Sequence, residues 1–402
     1  MINHNIDELL SSSRKILLLQ SPIGYFFTDL SQWLKKHNKI VFKLNFNAGD
    51  EYFYPETDDH NNPYTYTGKL TEFDNFLRDF IKKNNIDTFI CFGDTRPYHV
   101  IAKKLAKKLN ITFWVLEEGY FRPHFITLEK EGVNAFSTIP RNKEFYLQFS
   151  NLPQSAKPQN VASGFLPAAK LAAKYYHQAN KNKNKYPFYK HHRMLNTTYY
   201  IKHWIKSGLK KINKKLYTYH FIKDVKKNKF GDFYILPLQV YNDSQVKIHS
   251  DFDSVADFLI YVLESFAKNA PKNLTLIVKH HPMDIGFTDY NNIIEKYKIL
   301  YPHLKHKLYY IYDVPLPILL RKGKGMITLN STCGISALIH NMPVITLGRA
   351  NYDFEGLTHQ GTLKNFWHKP TKPNKQVFRG FQNYHLNKTQ INGSFYNKVI
   401  LP

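Results

Sequence analysis

Apolar residues recur along the first part of the chain as short strand-like runs that alternate with stripes at helical spacing. The run KILLLQ (15–20) is followed by a turn at Gly24, and a second apolar run occupies 39–44. Between the turn and the second run lies a helical stripe made of Phe26, Phe27, Leu30, Trp33 and Leu34. Strand, glycine turn, helix and strand form the βαβ unit with which Rossmann-like domains begin. The pattern therefore predicts a parallel sheet covered by helices.

The same alternation continues to residue 116 and starts again after residue 231. The further strand-like runs are 86–92, 112–116, 232–238, 274–279, 309–312 and 326–329. A chain of 402 residues is too long for one typical core, so two domains are expected. We predict an α/β protein with a GT-B-like fold, in which two Rossmann-like domains face a central cleft. Two-domain binding proteins and dehydrogenases share this outline, so the outline alone does not decide the chemistry.

Changes in composition give the expected domain boundaries. Residues 1–150 and 231–370 are predicted to be the N-terminal and C-terminal Rossmann-like domains. Residues 151–230 are rich in lysine and lack the alternation, so we expect a basic linker or a helical segment that contacts a membrane. Residues 371–402 are expected to be a tail that packs back on the domains.

The formal net charge of +25 implies an anionic partner. Lysines are densest over 181–229, where tyrosines, isoleucines and Trp204 are interleaved with them. This composition is typical of a helix that lies on an acidic bilayer, and equally of a solvated basic linker. The sequence contains no recognisable zinc-finger, helix-turn-helix or RNP pattern, which disfavours nucleic acid as the partner.

The cysteines and the N-terminus indicate the compartment. Cys91 and Cys333 lie far apart and match no zinc or redox spacing, which favours a reducing environment. The apolar run at 16–19 is too short for a signal sequence or a membrane span. We therefore expect a cytoplasmic protein.

Polar side chains follow three strands of the predicted N-terminal sheet. They are Asn45, Asp50, Asp94, Arg96, His99, Glu117 and Glu118. In an open α/β sheet the ligand crevice lies beyond the carboxyl ends of the strands. Three polar clusters at one edge favour a site over three unrelated caps or surface salt bridges.

The stretch 325–347, GMITLNSTCGISALIHNMPVITL, reads as a strand, a turn of small residues, a short helix and a second strand. Asn330, Ser331, Thr332 and Gly334 fall where the strand ends and the helix begins. Unpaired N–H groups at such a junction bind a phosphate or carboxylate well. The alternative is an ordinary helix cap, for which Ser, Thr and Asn are the usual residues. The chain has no GxGxxG or GxxxxGK[ST] sequence, which disfavours NAD enzymes and P-loop NTPases.

Seven stretches distributed in order over both predicted domains carry a specific resemblance. They are PIGYFFTDL, NFNAGDEYFYP, FGDTRPYH, EEGYFRPHFITLEKEGVN, LPLQVYNDSQVKIHSDF, KHHPMDIGFTDY and NSTCGISALIHNMPVITLGRANYDFEGLTHQGTLKNFW. The chain resembles the capsular polysaccharide KpsS/LipB family, whose members are similar to retaining β-Kdo transferases. The resemblance implies CMP-Kdo as donor and a lysophosphatidylglycerol-type lipid as acceptor, at the cytoplasmic face of the inner membrane. It also implies other capsule biosynthesis or export proteins as partners.

The resemblance assigns roles to individual residues, because Glu117-Glu118-Gly119, His281-Pro282 and Ser331-Thr332 look like the three motifs of bacterial GT-B sialyltransferases. Glu118 is then the general acid/base, His281 contacts the CMP phosphate, and Ser331 and Thr332 hold that phosphate in the C-terminal, donor-binding domain. The remaining donor-binding candidates are Gln239, His280, Pro282, Asn330, Gly334 and Arg349. The candidates for acceptor binding or second-choice catalysis are Asp94, Arg96, His99, Glu117 and Arg122. No metal or cofactor is expected, since no DxD-type carboxylate pair is suited to holding a nucleotide diphosphate through Mg²⁺, and CMP, which carries a single phosphate, leaves readily without a metal.

Retention of the β configuration implies a carboxylate nucleophile in addition to the acid/base. Asp243, in QVYNDSQV, is the candidate by resemblance, and an Asn-Asp-Ser turn is the alternative. Two other functions stay open. One is a transferase for a different CMP sugar, such as sialic acid, and the other is a non-catalytic scaffold that docks on anionic lipid through 181–229.

Overall fold

The structure is a computed structural model that describes residues 2–55, 63–153, 157–162, 164–191 and 197–402. The chain divides into two compact units. The first consists of Met1–Ile139, Pro153–Thr197 and Asn383–Pro402, and the second of Pro140–Leu152 and Thr198–Gln382.

Twelve strands are present in the described ranges. They are β1 (Lys15–Leu18), β2 (Ile40–Asn45), β3 (Tyr64–Thr65), β4 (Thr88–Phe92), β5 (Thr112–Glu118), β6 (Phe125–Lys130), β7 (Phe233–Pro237), β8 (Thr275–Lys279), β9 (Leu308–Ile311), β10 (Gly325–Thr328), β11 (Val344–Thr346) and β12 (Gln390–Asn392).

The α-helices of the same ranges separate these strands. They are α1 (Asn5–Ser12), α2 (Phe26–Lys36), α3 (Ala48–Tyr52), α4 (Phe73–Asn84), α5 (Pro97–Leu109), α6 (Lys143–Leu147), α7 (Phe165–Lys181), α8 (Thr197–Lys226), α9 (Ser244–His249), α10 (Val255–Asn269), α11 (Asn291–Leu300), α12 (Leu316–Leu320), α13 (Cys333–Ile339), α14 (Leu363–His368) and α15 (Lys375–Lys388). Short 3-10 turns occupy Leu70–Glu72, Asn134–Phe136, Lys183–Lys185, Pro282–Asp284 and Pro302–Leu304.

The first unit is built on a seven-stranded sheet in the order β12-β6-β5-β4-β1-β2-β3. The five strands from β3 to β5 are parallel, and β6 and β12 add an antiparallel edge. Alternate residues of β1 face opposite layers, because side chains alternate along a strand. Leu17 packs in the layer formed with α4 and α5, and Leu18 packs in the layer formed with α1 and α2.

The second unit is built on a five-stranded, fully parallel sheet in the order β11-β10-β7-β8-β9. Leu236, Leu276 and Val278 pack against α10, α11 and α14. Such continuous burial is expected of parallel strands that are covered on both faces. The prediction of an α/β protein with two Rossmann-like domains is confirmed.

The structure divides the expected linker (151–230) between the two units. α7 packs on α3 of the first unit, where the ring of Tyr175 lies so close to Gly49 that a Cβ there would be 2.6 Å from it. α8 belongs to the second unit, where His203 Nδ1 lies 2.7 Å from the carbonyl oxygen of Gly286. The parts of the expected segment at 154–156, 163 and 192–196 are outside the described residues. The unit boundaries therefore differ from the expected domain boundaries. Aromatic packing assigns each part of residues 151–230 to its unit, and such packing produces no periodic pattern in the sequence.

The expected tail (371–402) is also divided. Its last part supplies β12, which pairs with β6 of the first unit, while α15 begins in the second unit. Residues 140–150, expected in the N-terminal domain, and 151–152, expected in the linker, belong to the second unit, where Tyr146 stacks on Phe354 and contacts Phe381. None of the helices in the described ranges is both long and apolar enough to cross a membrane.

Candidate functional site

The carboxyl edge of the first sheet is covered at β1 and β2. Asn45 ends β2, and Asp50 lies in α3, whose first N–H groups are capped by the side chain of Asn47. Asn47 Nδ2 donates to the hydroxyl of Tyr175 at 2.8 Å, and Tyr189 accepts from Gln20 Nε2 at 2.7 Å. Asn45 and Asp50 are fully buried beneath these tyrosines. This part of the predicted rim is therefore closed by α7 and the residues that follow it.

A buried charge cluster lies under this cover. Lys43, the fourth residue of β2, is fully buried and forms no salt bridge with any residue that the structure describes. Burial lowers the pKa of Lys43 to about 8, and the nearby Asp50 carboxyl opposes this. Burial raises the pKa of Asp50, against the charges of Lys43 and Arg96. Lys43 and Asp50 thus stabilise each other's charged form, although they lie too far apart to form a salt bridge.

His99 lies in the same cluster and is held as a neutral imidazole. Its Nδ1 lies 2.5 Å from the carbonyl oxygen of Gly93, and its Nε2 accepts the N–H of Gln20 at 3.2 Å. Burial lowers the pKa of His99 to about 3, and the charges of Arg96 and Lys43 act in the same direction. With both ring nitrogens bonded to backbone groups, this residue positions the loop after β4 against β1.

Asp94 and Arg96 also make structural contacts. Asp94 is buried, accepts the N–H of Val133 at 3.3 Å and lies 3.8 Å from Lys103 Nζ. Burial raises the pKa of Asp94, and Lys103 opposes the shift. Arg96 donates to the carbonyl oxygen of Ser21 at 3.1 Å and lies over the ring of Phe92. Both residues therefore fasten the loop that follows β4.

Glu117 and Glu118 end β5 and remain partly exposed. They point to opposite faces of the sheet, because neighbouring residues of a strand alternate. Glu117 Oε1 accepts the N–H of Glu118 at 3.0 Å. Burial raises the pKa of Glu117 to about 7, and the charges of Glu118 and Asp94 add to the shift, whereas the N–H of Glu118 and Arg122 oppose it. Glu117, a second-choice candidate from the sequence, is therefore the carboxyl suited to exchange protons near neutral pH.

Gly119 explains why a glycine follows this acidic pair. A Cβ at Gly119 would overlap the carbonyl oxygen of Phe125, since β5 and β6 approach closely at the turn that joins them. Arg122 lies on the exposed side of this turn, where its Nε donates to the carbonyl oxygen of Gly119 at 3.4 Å. The turn holds both glutamates and Arg122 at the open part of the carboxyl edge.

In the second unit Asp284 connects the loops after β7 and β8, and the sequence analysis did not predict this residue. Asp284 is 1% exposed, and its Oδ2 accepts the N–H of Tyr241 at 3.2 Å and the hydroxyl of Thr288 at 2.6 Å. Burial raises the pKa of Asp284, and these two hydrogen bonds oppose the shift. Asp284 thus fixes the loop that leads to Asp243 against the loop that carries His281. Its sequence signal is the acid three residues after His281 in KHHPMDIG.

Gln239 and Asp243 are brought together. Gln239 Nε2 donates to Asp243 Oδ2 at 3.1 Å, and Gln239 is largely buried. The backbone of Asp243 also forms a turn, since its N–H bonds to the carbonyl oxygen of Val240 and its carbonyl accepts from Val246. The turn interpretation and the oriented carboxylate are therefore compatible, because backbone and side chain have separate partners.

The two histidines after β8 differ in environment. His280 is buried with Nδ1 2.6 Å from the hydroxyl of Tyr310, and burial lowers the pKa of His280 to about 4. His281 is partly exposed, and its Nδ1 accepts the N–H of Met283 at 3.2 Å as the cap of the Pro282–Asp284 turn. In the neutral ring the proton of His281 is then on Nε2.

The Asn330–Gly334 junction is organised mainly by packing. Ser331 Oγ accepts the N–H of Cys333 at 3.2 Å, whereas the side chain of Thr332 caps nothing. The carbonyl oxygen of Ser331 accepts the hydroxyl of Tyr352, and a Cβ at Gly334 would overlap that hydroxyl. Gly334 is therefore a glycine because of Tyr352. Asn330, Ser331 and Thr332 remain partly exposed at the edge.

Arg349, a predicted donor-binding residue, and Lys279, which the sequence analysis did not single out, differ in their partners. Arg349 is paired with Asp251 at 2.9 Å and donates to the carbonyl oxygens of Ile248 and Ser250. Lys279, at the end of β8, is 6% exposed and forms no salt bridge with any described residue. Burial lowers the pKa of Lys279, and the nearby Cys333 is the first group to oppose the shift. The missed signal was a lysine closing an apolar strand, TLIVK, as in IVFK of β2.

The described residues contain no group of three or more His, Cys, Asp or Glu side chains arranged to hold a metal ion. The polar edges consist instead of carboxylates in the first unit, and of an oriented carboxylate, histidines and a buried ammonium in the second. Such groups can exchange a proton, attack an electrophilic carbon and bind an anion.

Sequence comparisons with known proteins agree on one family. The model of the family described as capsule polysaccharide biosynthesis protein matches residues 87–396. The chain is 50% identical over 405 residues to the capsule polysaccharide modification protein LipB of Neisseria meningitidis serogroup B, covering 100% of this chain and 96% of that protein. It is 38% identical over 388 residues to the capsule polysaccharide export protein KpsS of Escherichia coli, covering 96% and 98%.

One solved structure, Thermosulfurimonas dismutans KpsC, a β-Kdo 2,7 transferase, matches with a TM-score of 0.38 at 14% identity, covering 84% of this chain and 88% of that one.

Proposed function

The chain belongs to the capsule polysaccharide biosynthesis family, and on this basis we propose that it is a glycosyltransferase that moves β-Kdo from CMP-Kdo to a lysophosphatidylglycerol-type lipid. The transfer would begin the lipid linker of the capsule, at the cytoplasmic face of the inner membrane. Relatives named for capsule modification and capsule export support a role in that pathway. The observation that carries the enzymatic part is the glutamate pair at the end of β5, with the pKa of Glu117 raised by burial to about 7.

The second unit supplies groups suited to the donor. The phosphodiester of a CMP sugar is an anion. The second unit offers it a cation, the buried ammonium of Lys279, and three hydrogen-bond donors, which are the Nε2–H of His281 and the hydroxyls of Ser331 and Thr332. Donor binding through Gln239, His280, Pro282, Asn330 and Gly334 stays a prediction by resemblance. Arg349 stays a candidate for donor binding, although it is bonded to Asp251 and to two carbonyl oxygens.

The proposed reaction is a double displacement. Asp243, oriented by Gln239, attacks the anomeric carbon of Kdo while the bond from that carbon to the phosphate oxygen breaks, and CMP departs with the bonding electron pair. The acceptor hydroxyl then attacks the same carbon, the bond to Asp243 breaks, and a glutamate of the β5 pair takes the hydroxyl proton. Two inversions give net retention. CMP is a stable leaving group, so the chemistry requires no metal.

The test is transfer by the purified protein, measured as CMP released from CMP-Kdo on addition of a lysophosphatidylglycerol acceptor. Glu117→Gln, Glu118→Gln and Asp243→Asn should each lower the release rate by at least about 10²-fold, the usual contribution of an acid/base or nucleophile, while CMP binding survives. Glu144→Gln, an exposed glutamate of the second unit, is the matched control and should retain activity. Loss of CMP binding in the Asp243 variant would reassign that residue to structure, and no release with any lipid from folded protein would exclude the proposal.

A different CMP sugar is the second candidate. Sialic acid, like Kdo, carries a carboxylate on its anomeric carbon, so the anion-binding groups of the second unit fit either donor. The two CMP sugars are distinguished by supplying both at equal concentration and identifying the sugar on the lipid product, because the true donor has the higher kcat/KM.

A further inference from the structure

The helix α8 uses one face to pack on the second unit. His203 lies 4.7 Å from the ring of Phe287, to which it is stacked, and its Nδ1 lies 2.7 Å from the carbonyl oxygen of Gly286. Lys210 forms a salt bridge with Asp289 and lies over the ring of Tyr312. These contacts fix the rotation of the helix about its axis. They therefore determine which residues of α8 face away from the unit.

The outward face carries a continuous apolar stripe. Its members are Ile205 (61% exposed), Leu209 (58%), Ile212 (70%), Leu216 (69%) and Tyr219 (62%). They are spaced by four, three, four and three residues, which keeps them on one side of a helix over a length of about 20 Å. Large apolar side chains exposed as a contiguous patch mark a surface that binds something.

Lysines border the stripe on both sides. At 3.6 residues per turn, Lys202 and Lys206 lie on one flank and Lys215 and Lys226 on the other, and Lys223 continues the stripe beyond Tyr219. All five are exposed, and none forms a salt bridge with any residue in the described ranges. The inward Lys210 and Lys211, by contrast, are paired with Asp289 and Asp313. The helix therefore presents its unpaired charge beside its exposed apolar surface.

We propose that this face of α8 docks on an anionic lipid bilayer, with the stripe in the boundary between headgroups and acyl chains and the lysines at the lipid phosphates. An apolar stripe flanked by lysines is the pattern of helices that lie in the plane of a membrane. Charge selects the bilayer over a second copy of the chain, since pairing two such faces would bring ten unpaired lysines together (five from each copy) with a chain of net charge +25 on each side. The inference does not depend on which sugar is transferred.

The experiment is sedimentation of the full-length protein with vesicles of phosphatidylglycerol and phosphatidylcholine, without a CMP sugar. Leu209→Asp combined with Leu216→Asp should weaken partitioning at least tenfold. The matched control is Ile299→Asp combined with Leu300→Asp, which changes two equally exposed apolar residues of α11 (79% and 58% exposed) by the same charge. The control should bind as the wild type does.

The lysines are tested separately. Replacing Lys202, Lys206, Lys215 and Lys223 by glutamine should weaken binding by about fivefold per lysine, and 0.5 M salt should have the same direction of effect. Glutamine at Lys82, Lys104, Lys107 and Lys108, exposed lysines of α4 and α5, removes the same charge elsewhere and should have a much smaller effect.

Any of the following results would overturn the proposal. If the protein bound vesicles of phosphatidylcholine alone as tightly as vesicles that contain phosphatidylglycerol, anionic lipid would be excluded as the partner. If the stripe variants bound the vesicles as tightly as the α11 control does, α8 would be excluded as the docking helix. A dimer in sedimentation velocity that the stripe variants convert to a monomer, without vesicle binding, would identify the occupant as a second copy. Melting temperatures of the variants within a few degrees of the wild type ensure that lost binding is not lost folding.

Discussion

Glu117→Gln should make the first unit more stable at alkaline pH while removing transfer activity. Burial raises the pKa of Glu117 from 4.5 to about 7 in the folded protein. A carboxyl whose folded pKa is raised contributes its full stability below pH 4.5 and loses it as the pH rises through about 7. From these two values, titration of this carboxyl, which ionises more readily in the unfolded chain, lowers the free energy of unfolding by about 3 kcal/mol at pH 8 and about 1 kcal/mol at pH 5 relative to the fully protonated protein.

Glutamine has nearly the same shape, and its carbonyl oxygen can still accept the N–H of Glu118, so the variant removes the charge with little other change. The gain in stability should therefore be about 2 kcal/mol larger at pH 8 than at pH 5. Hydrogen exchange of amides in β4 and β5, measured in urea at both pH values, reports the first unit alone. The same substitution at Glu118 is the control.

The transfer rate supplies the second half of this prediction. If Glu117 accepts the acceptor proton, the wild-type rate at subsaturating acceptor rises with pH up to about 7 and then levels, because the base must be ionised. Glu117→Gln should lose both this pH dependence and about 10²–10⁴ in rate. The reasoning is refuted if the variant gains no stability at pH 8, and the catalytic role is refuted if the wild-type pH limb persists in Glu117→Gln.

Three further predictions concern the second unit. Asp284→Ala should cost about 2–5 kcal/mol in urea unfolding because the N–H of Tyr241 and the hydroxyl of Thr288 lose their buried acceptor, and a loss below about 1 kcal/mol would contradict the role assigned to Asp284. Lys279→Met should raise the Kd for CMP in calorimetry about 10–100-fold through loss of a charge-assisted hydrogen bond; the exposed Lys305→Met is the control, and equal affinities would remove Lys279 from the anion site. Gly334→Ala should destabilise the unit by about 1–3 kcal/mol by overlap with Tyr352, and unchanged thermal unfolding would show that the ring can move away.

The parallel strands were predictable because buried parallel strands are nearly continuous apolar runs. KILLLQ and DFYILPL are of this kind, and β1 and β7 lie within them. The antiparallel edge was not predicted. β6 alternates apolar and polar residues over FITLEK, and β12 is only three residues long, so its pairing with β6 depends on tertiary contacts between residues more than 250 positions apart.

The sequence analysis predicted which strand ends carry the candidate residues, but not which of these residues are exposed. The crevice rule places Asn45, Asp50 and His99 at the carboxyl edge, and they are there, yet Tyr175 and Tyr189 of a distant segment cover them. No local pattern gives the destination of α7. Lys279 and Asp284 were missed for a related reason, since a charged residue next to an apolar strand normally marks its exposed end, and here both are buried.

The central claim is the transfer of Kdo to a lipid, and the mass spectrum of the lipid product tests it most directly. Purified protein, CMP-Kdo and lysophosphatidylglycerol should give a lipid heavier by one Kdo residue, with an equal amount of CMP released. That product should be absent with Asp243→Asn and present with Glu144→Gln. An unmodified lipid in the presence of folded protein that binds CMP, across acceptors of different chain length, would contradict the account.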